Sequence, residues 1–216
     1  MRATARRLSL FAATLAALFI APAGLTAQTQ ALTFTPGSGS AGSNNNQSVG
    51  WQFNVLTGIT VNGLGWYDDG ADGLSIGHSV GIWDPSGALL ASILVPGGTA
   101  AALNGQYRTV SIASVFLTPG AGYIIGGENF ARSLDFLAFN VSGQVVDPRI
   151  SFVDATFTGF GSGLNRPTNF SGATTGFYGP GFTIQAVQVT PEPASMVLVA
   201  TGLLGIGGIV RRRRKV

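Results

Sequence analysis

Between Gln28 and Thr190 the apolar residues recur at every second position in short runs, and each run is cut by glycine or proline. Trp51-Gln52-Phe53-Asn54-Val55 and Ile59-Thr60-Val61 alternate with the period of a half-buried strand. The parity then changes, because Ile59 and Val61 are odd whereas Leu64 and Trp66 are even. One extra residue at Gly63 restores a common face, which predicts a bulge there. Val80–Trp83, Ala88–Val95, Tyr107–Ile112, Val115–Leu117, Gly122–Gly126, Ile150–Thr158 and Phe182–Val189 read as further strands. Turn signals such as Asp84-Pro85-Ser86-Gly87 and Pro96-Gly97-Gly98 separate them. No amphipathic helix longer than a few turns fits the pattern. The expectation is therefore an all-β fold, an antiparallel β-sandwich of jelly-roll-like kind, over residues 28–190. Pro36–Ser48 and Gly159–Gly181, rich in Gly, Ser and Asn, read as long surface loops.

Charge and residue usage remove several classes of function. The interior carries eight acids against four arginines, Arg108, Arg132, Arg149 and Arg166, a net −4, so the basic pI of about 9.8 belongs to the two ends. A domain without surplus cations has nothing to exchange for the counterions of phosphates, which argues against nucleic acid as a partner. With no cysteine, disulfides, thiolate zinc sites and cysteine nucleophiles are excluded.

The ends themselves read as targeting segments. Met1–Arg7 is basic, Leu8–Ile20 is a thirteen-residue apolar run, and small residues follow at Ala21, Ala23, Gly24 and Ala27. This is the form of a signal peptide over residues 1–27, with cleavage after Ala27 as first choice and after Ala23 as second. At the other end Ala194–Val210 is seventeen residues without a charge, followed by Arg211-Arg212-Arg213-Arg214-Lys215. As a helix at ~1.5 Å per residue it reaches about 25 Å, just enough to read as a transmembrane helix over 194–210. The basic cluster holds that end in the cytoplasm and places the preceding domain outside.

Thr190-Pro191-Glu192-Pro193-Ala194-Ser195 precedes this helix. Its two prolines fix φ, remove two amide donors and hold the strip extended. Pro-Glu-Pro, a short Gly-rich apolar helix and a terminal Arg cluster, over residues 191–216, together resemble the PEP-CTERM sorting signal of exported proteins in Gram-negative bacteria. The resemblance implies recognition of Pro191, Glu192 and Pro193 by a membrane-embedded exosortase, anchorage in the membrane before processing, and an association with exopolysaccharide and the cell surface. Gly63–Leu74, His78–Asp84, Ser86–Ser92 and Leu117–Tyr123 resemble a bacterial β-sandwich domain of unknown function, which implies a fold and no catalytic residues.

Each chemical motif inside the domain has a plainer reading. Gly77-His78-Ser79-Val80-Gly81 fits a nucleophile elbow by pattern, but no helix is foreseen after it and the chain's single histidine is part of the motif, so no separate base exists. Gly37–Gly42 fits a dinucleotide fingerprint but leads into Ser43-Asn44-Asn45-Asn46-Gln47 rather than a helix. Glu128 with an aspartate is the only vague pair for glycosidase chemistry. Asp68, Asp69 and Asp72 sit in a Gly-rich turn and are the candidate ligands for calcium, with Asp84 a further donor. Gly70 and Ser79 occupy two EF-hand ligand positions, so this is not an EF-hand. The competing reading is a solvated acidic turn whose residues are chosen for backbone reasons. Trp51, Trp66, Trp83 and Tyr67 are able to stack on sugars, but core burial is the better expectation. His78 is expected to fix the acidic loop through hydrogen bonds. The resulting expectation is a non-enzymatic, surface-sorted protein with a structural or adhesive role in an extracellular polysaccharide matrix. A secreted carbohydrate-active enzyme or carbohydrate-binding module is the alternative.

Overall fold

The computed structural model describes residues 28–37, 39–41, 46–130, 134–172 and 176–186. The strands, in chain order, begin with β1 (Gln28–Gln30), β2 (Leu32–Thr35), β3 (Gly39–Ala41), β4 (Gln47–Val55) and β5 (Ile59–Tyr67). The middle of the chain supplies β6 (His78–Trp83), β7 (Leu89–Val95), β8 (Ala102–Asn104), β9 (Tyr107–Leu117) and β10 (Gly120–Asn129). The last are β11 (Phe136–Ala138), β12 (Ser142–Val146), β13 (Ile150–Phe157), β14 (Asn169–Phe170) and β15 (Pro180–Gln185). A five-stranded sheet has the order β1-β15-β5-β9-β8 and a six-stranded sheet the order β14-β13-β4-β10-β6-β7. The pairs β11-β3 and β12-β2 are two small additional ribbons. Every pairing is antiparallel.

Alternation along the strands sends one set of side chains between the two large sheets. Trp51 and Phe53 from β4, Val80 and Ile82 from β6 and Ile125 from β10 meet Leu64 and Trp66 from β5 and Phe182 and Ile184 from β15 in one core. Trp51 stacks on Phe182 with ring centroids 5.5 Å apart, and its indole N–H donates to the Pro180 carbonyl at 3.0 Å. A buried indole with its N–H satisfied keeps its apolar gain without a desolvation cost.

The parity change in β5 is a bulge, as its sequence predicts, but one residue before the expected Gly63. Against β15, Val61 pairs with Ile184 and Gly63 with Thr183, so Asn62 is the additional residue. Val61, Leu64 and Trp66 all face the core as a result. Asn62 accepts a hydrogen bond from the Thr183 hydroxyl at 2.9 Å, which ties its buried amide to the neighbouring strand. The segments Tyr107–Ile112 and Val115–Leu117 are one strand, β9, rather than two.

Both stretches expected to be plain surface loops contain pairing of their own, through β3 in the first and β14 in the second. Residues 159–168 form a strap over the outer face of the six-stranded sheet. Gly50, Gly126 and Gly81 lie in one register row across β4, β10 and β6 beneath it. A Cβ on Gly126 would stand 2.7 Å from the Pro167 ring, and one on Gly81 would stand 3.1 Å from Leu164, so the row is where the strap approaches the sheet. The Gly161, Gly163 and Asn165 amides donate to Asn46 O, Glu128 Oε1 and Ser48 Oγ and pin the strap down.

The two ends of the large sheets differ. At one end Gln28 of β1 pairs with Gln185 of β15. At the other, Pro180 pairs with Trp66, and β5 runs out into the acidic turn.

Candidate functional site

Beyond Tyr67 the chain needs to turn, and Asp68-Asp69-Gly70-Ala71-Asp72-Gly73 does so through a short 3-10 turn, Asp69–Ala71. Ala71 and Gly73 both have positive φ, 60° and 110°, the second in a region suited to glycine. Two side-chain pairs fix the result. Arg108 of β9 donates through Nε to Asp68 at 2.6 Å and through its other nitrogens to the carbonyls of Ala71 and Ala101. The Asp68 carboxylate also accepts the Gly73 amide, 3.1 Å from Oδ2. Both partners are almost fully buried, so each needs the other to offset its lost hydration.

The second pair is His78 with Asp135. His78 Nε2 lies 2.8 Å from Asp135 Oδ2 and Nδ1 lies 2.9 Å from the Glu128 carbonyl. Both ring nitrogens are thus held by oxygen partners. The ring is fully buried and stacks on Trp66 with centroids 3.9 Å apart. Asp135 also accepts from the Ser75 amide and hydroxyl and from the Ile76 amide. Burial works to raise its carboxyl, but the hydrogen bonds from His78 and Ser75 outweigh that and hold it well below the usual carboxylate range. The Tyr67 hydroxyl, buried and donating to Asp69 at 2.9 Å, is pushed well above its ordinary value by burial first and by Asp69 second.

These groups line an acidic cleft of about 350 Å³ bounded by Asp68, Asp69, Asp72, Ser75, Asp135 and Phe136, with Gly73 and Leu134 completing its wall. Asp69 and Asp72 are exposed, whereas Asp68 and Asp135 are buried against Arg108 and His78. The three aspartates singled out in the sequence are thus neighbours, but Asp68 points its carboxylate at a guanidinium. Among the described residues no three His, Cys, Asp or Glu side chains converge to hold a metal ion. Asp84 stands at the opposite end of β6, about 20 Å along a strand rising ~3.3 Å per residue, where it accepts from Ser86 and Ala88. It is therefore not a further donor to the turn.

Several other readings are resolved by position. Ser79 lies inside β6 opposite Leu94, not at a strand-to-helix turn. The Glu128 carboxylate is on the outer face under the strap, capped by the Gly163 amide at 2.6 Å, and does not face the acidic cleft. Trp51, Trp66, Trp83 and Tyr67 are all buried, as the core reading requires. Among the described residues the aromatic rings that face solvent are Phe116, Phe136, Phe160 and Phe170, which the sequence pattern does not single out. His78 fixes the segment after the acidic turn, as expected, but acts through Asp135. Arg108 and Asp135, which define the cleft, were missed because their partners are distant in sequence.

Pro191, Glu192 and Pro193, the signal peptide over 1–27 and the apolar stretch over 194–210 lie outside the described residues. Comparison with known families supplies what the geometry does not. Residues 189–215 carry a PEP-CTERM protein-sorting motif. It covers about an eighth of the chain and begins close after Ala186, the last described residue of the domain. The PEP-CTERM motif indicates an exported protein that an exosortase processes. No curated protein and no solved structure matches the chain. Among the described residues no helix is long and apolar enough to cross a membrane.

Proposed function

We propose that this exported protein is a non-enzymatic structural or adhesive component of the extracellular polysaccharide matrix of a Gram-negative cell, built on a jelly-roll-like sandwich. The observation that carries the reading is the PEP-CTERM motif at 189–215, with a basic, apolar, small-residue leader at the opposite end of the same chain. In this scheme residues 1–27 are removed on export, the helix over 194–210 anchors the precursor, and Pro191-Glu192-Pro193 is the strip the exosortase reads. Commitment of the chain's single histidine to Asp135 and Glu128, and of the Glu128 carboxylate to the strap, supports a role other than hydrolysis. Intact-mass measurement in a host carrying the sorting enzyme should show loss of the leader and of the helix with its basic tail. Replacing Pro191, Glu192 and Pro193 by alanine should leave a membrane-retained precursor. Normal processing of that variant would overturn the scheme.

The exposed pair Asp69 and Asp72 at the acidic cleft favours a second reading, a carbohydrate-binding module with calcium held by Asp68, Asp69 and Asp72. Calcium there requires Asp68 to exchange Arg108 for the ion. A ligand bound only by the folded state at one hundred times Kd adds ~2.7 kcal/mol, which for a domain of this size raises the melting midpoint by about 5 to 10 °C. Asp72→Asn should remove most of that rise. Equal melting in calcium and in chelator would leave the turn as a turn, and a glycan screen run in both conditions separates sugar binding from ion binding.

A further inference from the structure

Between Asp84 and Glu128 the sequence contains one charged residue, Arg108, and that one is buried against Asp68. The strands of this region, β7, β8 and β9, therefore offer solvent no charge. They form one flank of the sandwich. β7 closes the six-stranded sheet, and among the described residues no strand pairs with its outer side. β9 packs beside β7 from the facing sheet and is itself covered by β8 only at Tyr107, Arg108 and Thr109. Leu89, Leu94 and Phe116 on this flank are at least half exposed, at 50, 59 and 63%.

Open strand edges invite pairing, and folded proteins blunt them with short strands, charges or prolines. Three of the four outermost strands among the described residues are short, β1 and β8 with three residues each and β14 with two, and leave β9 and β13 behind them open for part of their length. β7 is the longest of the outermost strands. It has seven residues, Leu-Leu-Ala-Ser-Ile-Leu-Val, without a charge or a proline. A ladder of that length is satisfied by water or by another strand, and its composition selects the strand. The domain's net −4 makes two copies repel over most of their surface, and this flank is where that repulsion is least. A charged partner gains nothing from it.

We infer that β7 pairs antiparallel with β7 of a second copy, joining the two six-stranded sheets across a two-fold axis. A register centred on Ser92 sets Ser92 opposite Ser92 and Ala91 opposite Ile93, and the bulge at Leu90 ends the regular ladder there. Apolar meets apolar on either side of Ser92, and the contact is isologous and closes on itself. The inference stands independently of the sorting scheme, because it rests on the sheet edge and not on the tail.

The absence of cysteine makes a direct test available. Ser92 is exposed, so Ser92→Cys in the full chain, exported in its host and mildly oxidised, should give mostly a disulfide-linked dimer on a non-reducing gel. Phe170→Cys, exposed on the opposite flank, should give at least tenfold less. Adding Leu94→Lys to Ser92→Cys should lower linking at least tenfold by setting a charge at the paired edge of each copy, with circular dichroism checking that the exposed substitution leaves the fold intact. Linking no greater than that of Phe170→Cys, or unchanged by Leu94→Lys, would overturn the inference. So would linking that requires added polysaccharide, since a glycan would then occupy the edge.

Discussion

Arg108 is the cation on which the acidic turn depends. Its guanidinium bonds Asp68 and two carbonyls, and Asp68 is nearly inaccessible to water. Arg108→Met should therefore cost about 3 to 5 kcal/mol, because it strands a buried carboxylate. Arg149→Met, beside the less buried Asp147, should cost less, and urea unfolding of the two variants compares them directly. Asp135 sets a pH dependence. Its folded-state carboxyl titrates below the unfolded value, so on acidification the unfolded chain takes up the proton first. The stabilisation is complete above the unfolded carboxylate range, near ~3.9, and is lost as the pH falls through the folded value. Asp135→Asn should flatten the acid limb of a stability curve measured from pH 5 downwards. A limb as steep as that of the wild type would assign acid lability elsewhere, with Asp147, whose carboxyl Arg149 also holds low, as the next group.

The elements show where the sequence is legible. β4 and β6 alternate cleanly, and the bulge in β5 follows from parity alone, since a buried face punishes a one-residue slip. β1, β8 and β14 have three residues or fewer and offer too few positions for a period. The cleft was only half legible. Asp68, Asp69 and Asp72 share a turn and are seen together, whereas Arg108 lies 40 residues from Asp68 and Asp135 lies 57 from His78, a separation that only strand pairing closes. The strap over residues 159–168 reads as a loop in sequence because its attachments are backbone amides, which leave no mark in composition. Its seat is testable. Gly126→Val should force Pro167 away and cost ~1 to 3 kcal/mol by overpacking. Trp83, which is 5% exposed and lies against the same glycine, should then shift its emission to the red while Trp51 and Trp66 stay buried. Gly159→Ala, with no atom within 4 Å of the added carbon, should change stability by no more than ~0.5 kcal/mol.

At the scale of the whole molecule, charge and position follow from the two ends of the chain. Removal of leader and basic tail leaves an acidic domain, so isoelectric focusing should move the protein from a precursor near 9.8 to a product well below neutrality. A processed form that still focuses at basic pH would mean that the Arg cluster has been kept. The pairing of Gln28 with Gln185 gives this processing a direction in space. Chain entry and chain exit lie side by side at one pole, and the turn after Tyr67 lies at the other. If the tail anchors the precursor as proposed, the domain hangs from the first pole, like a lamp from its flex, with its two exposed carboxylates, Asp69 and Asp72, at the far end.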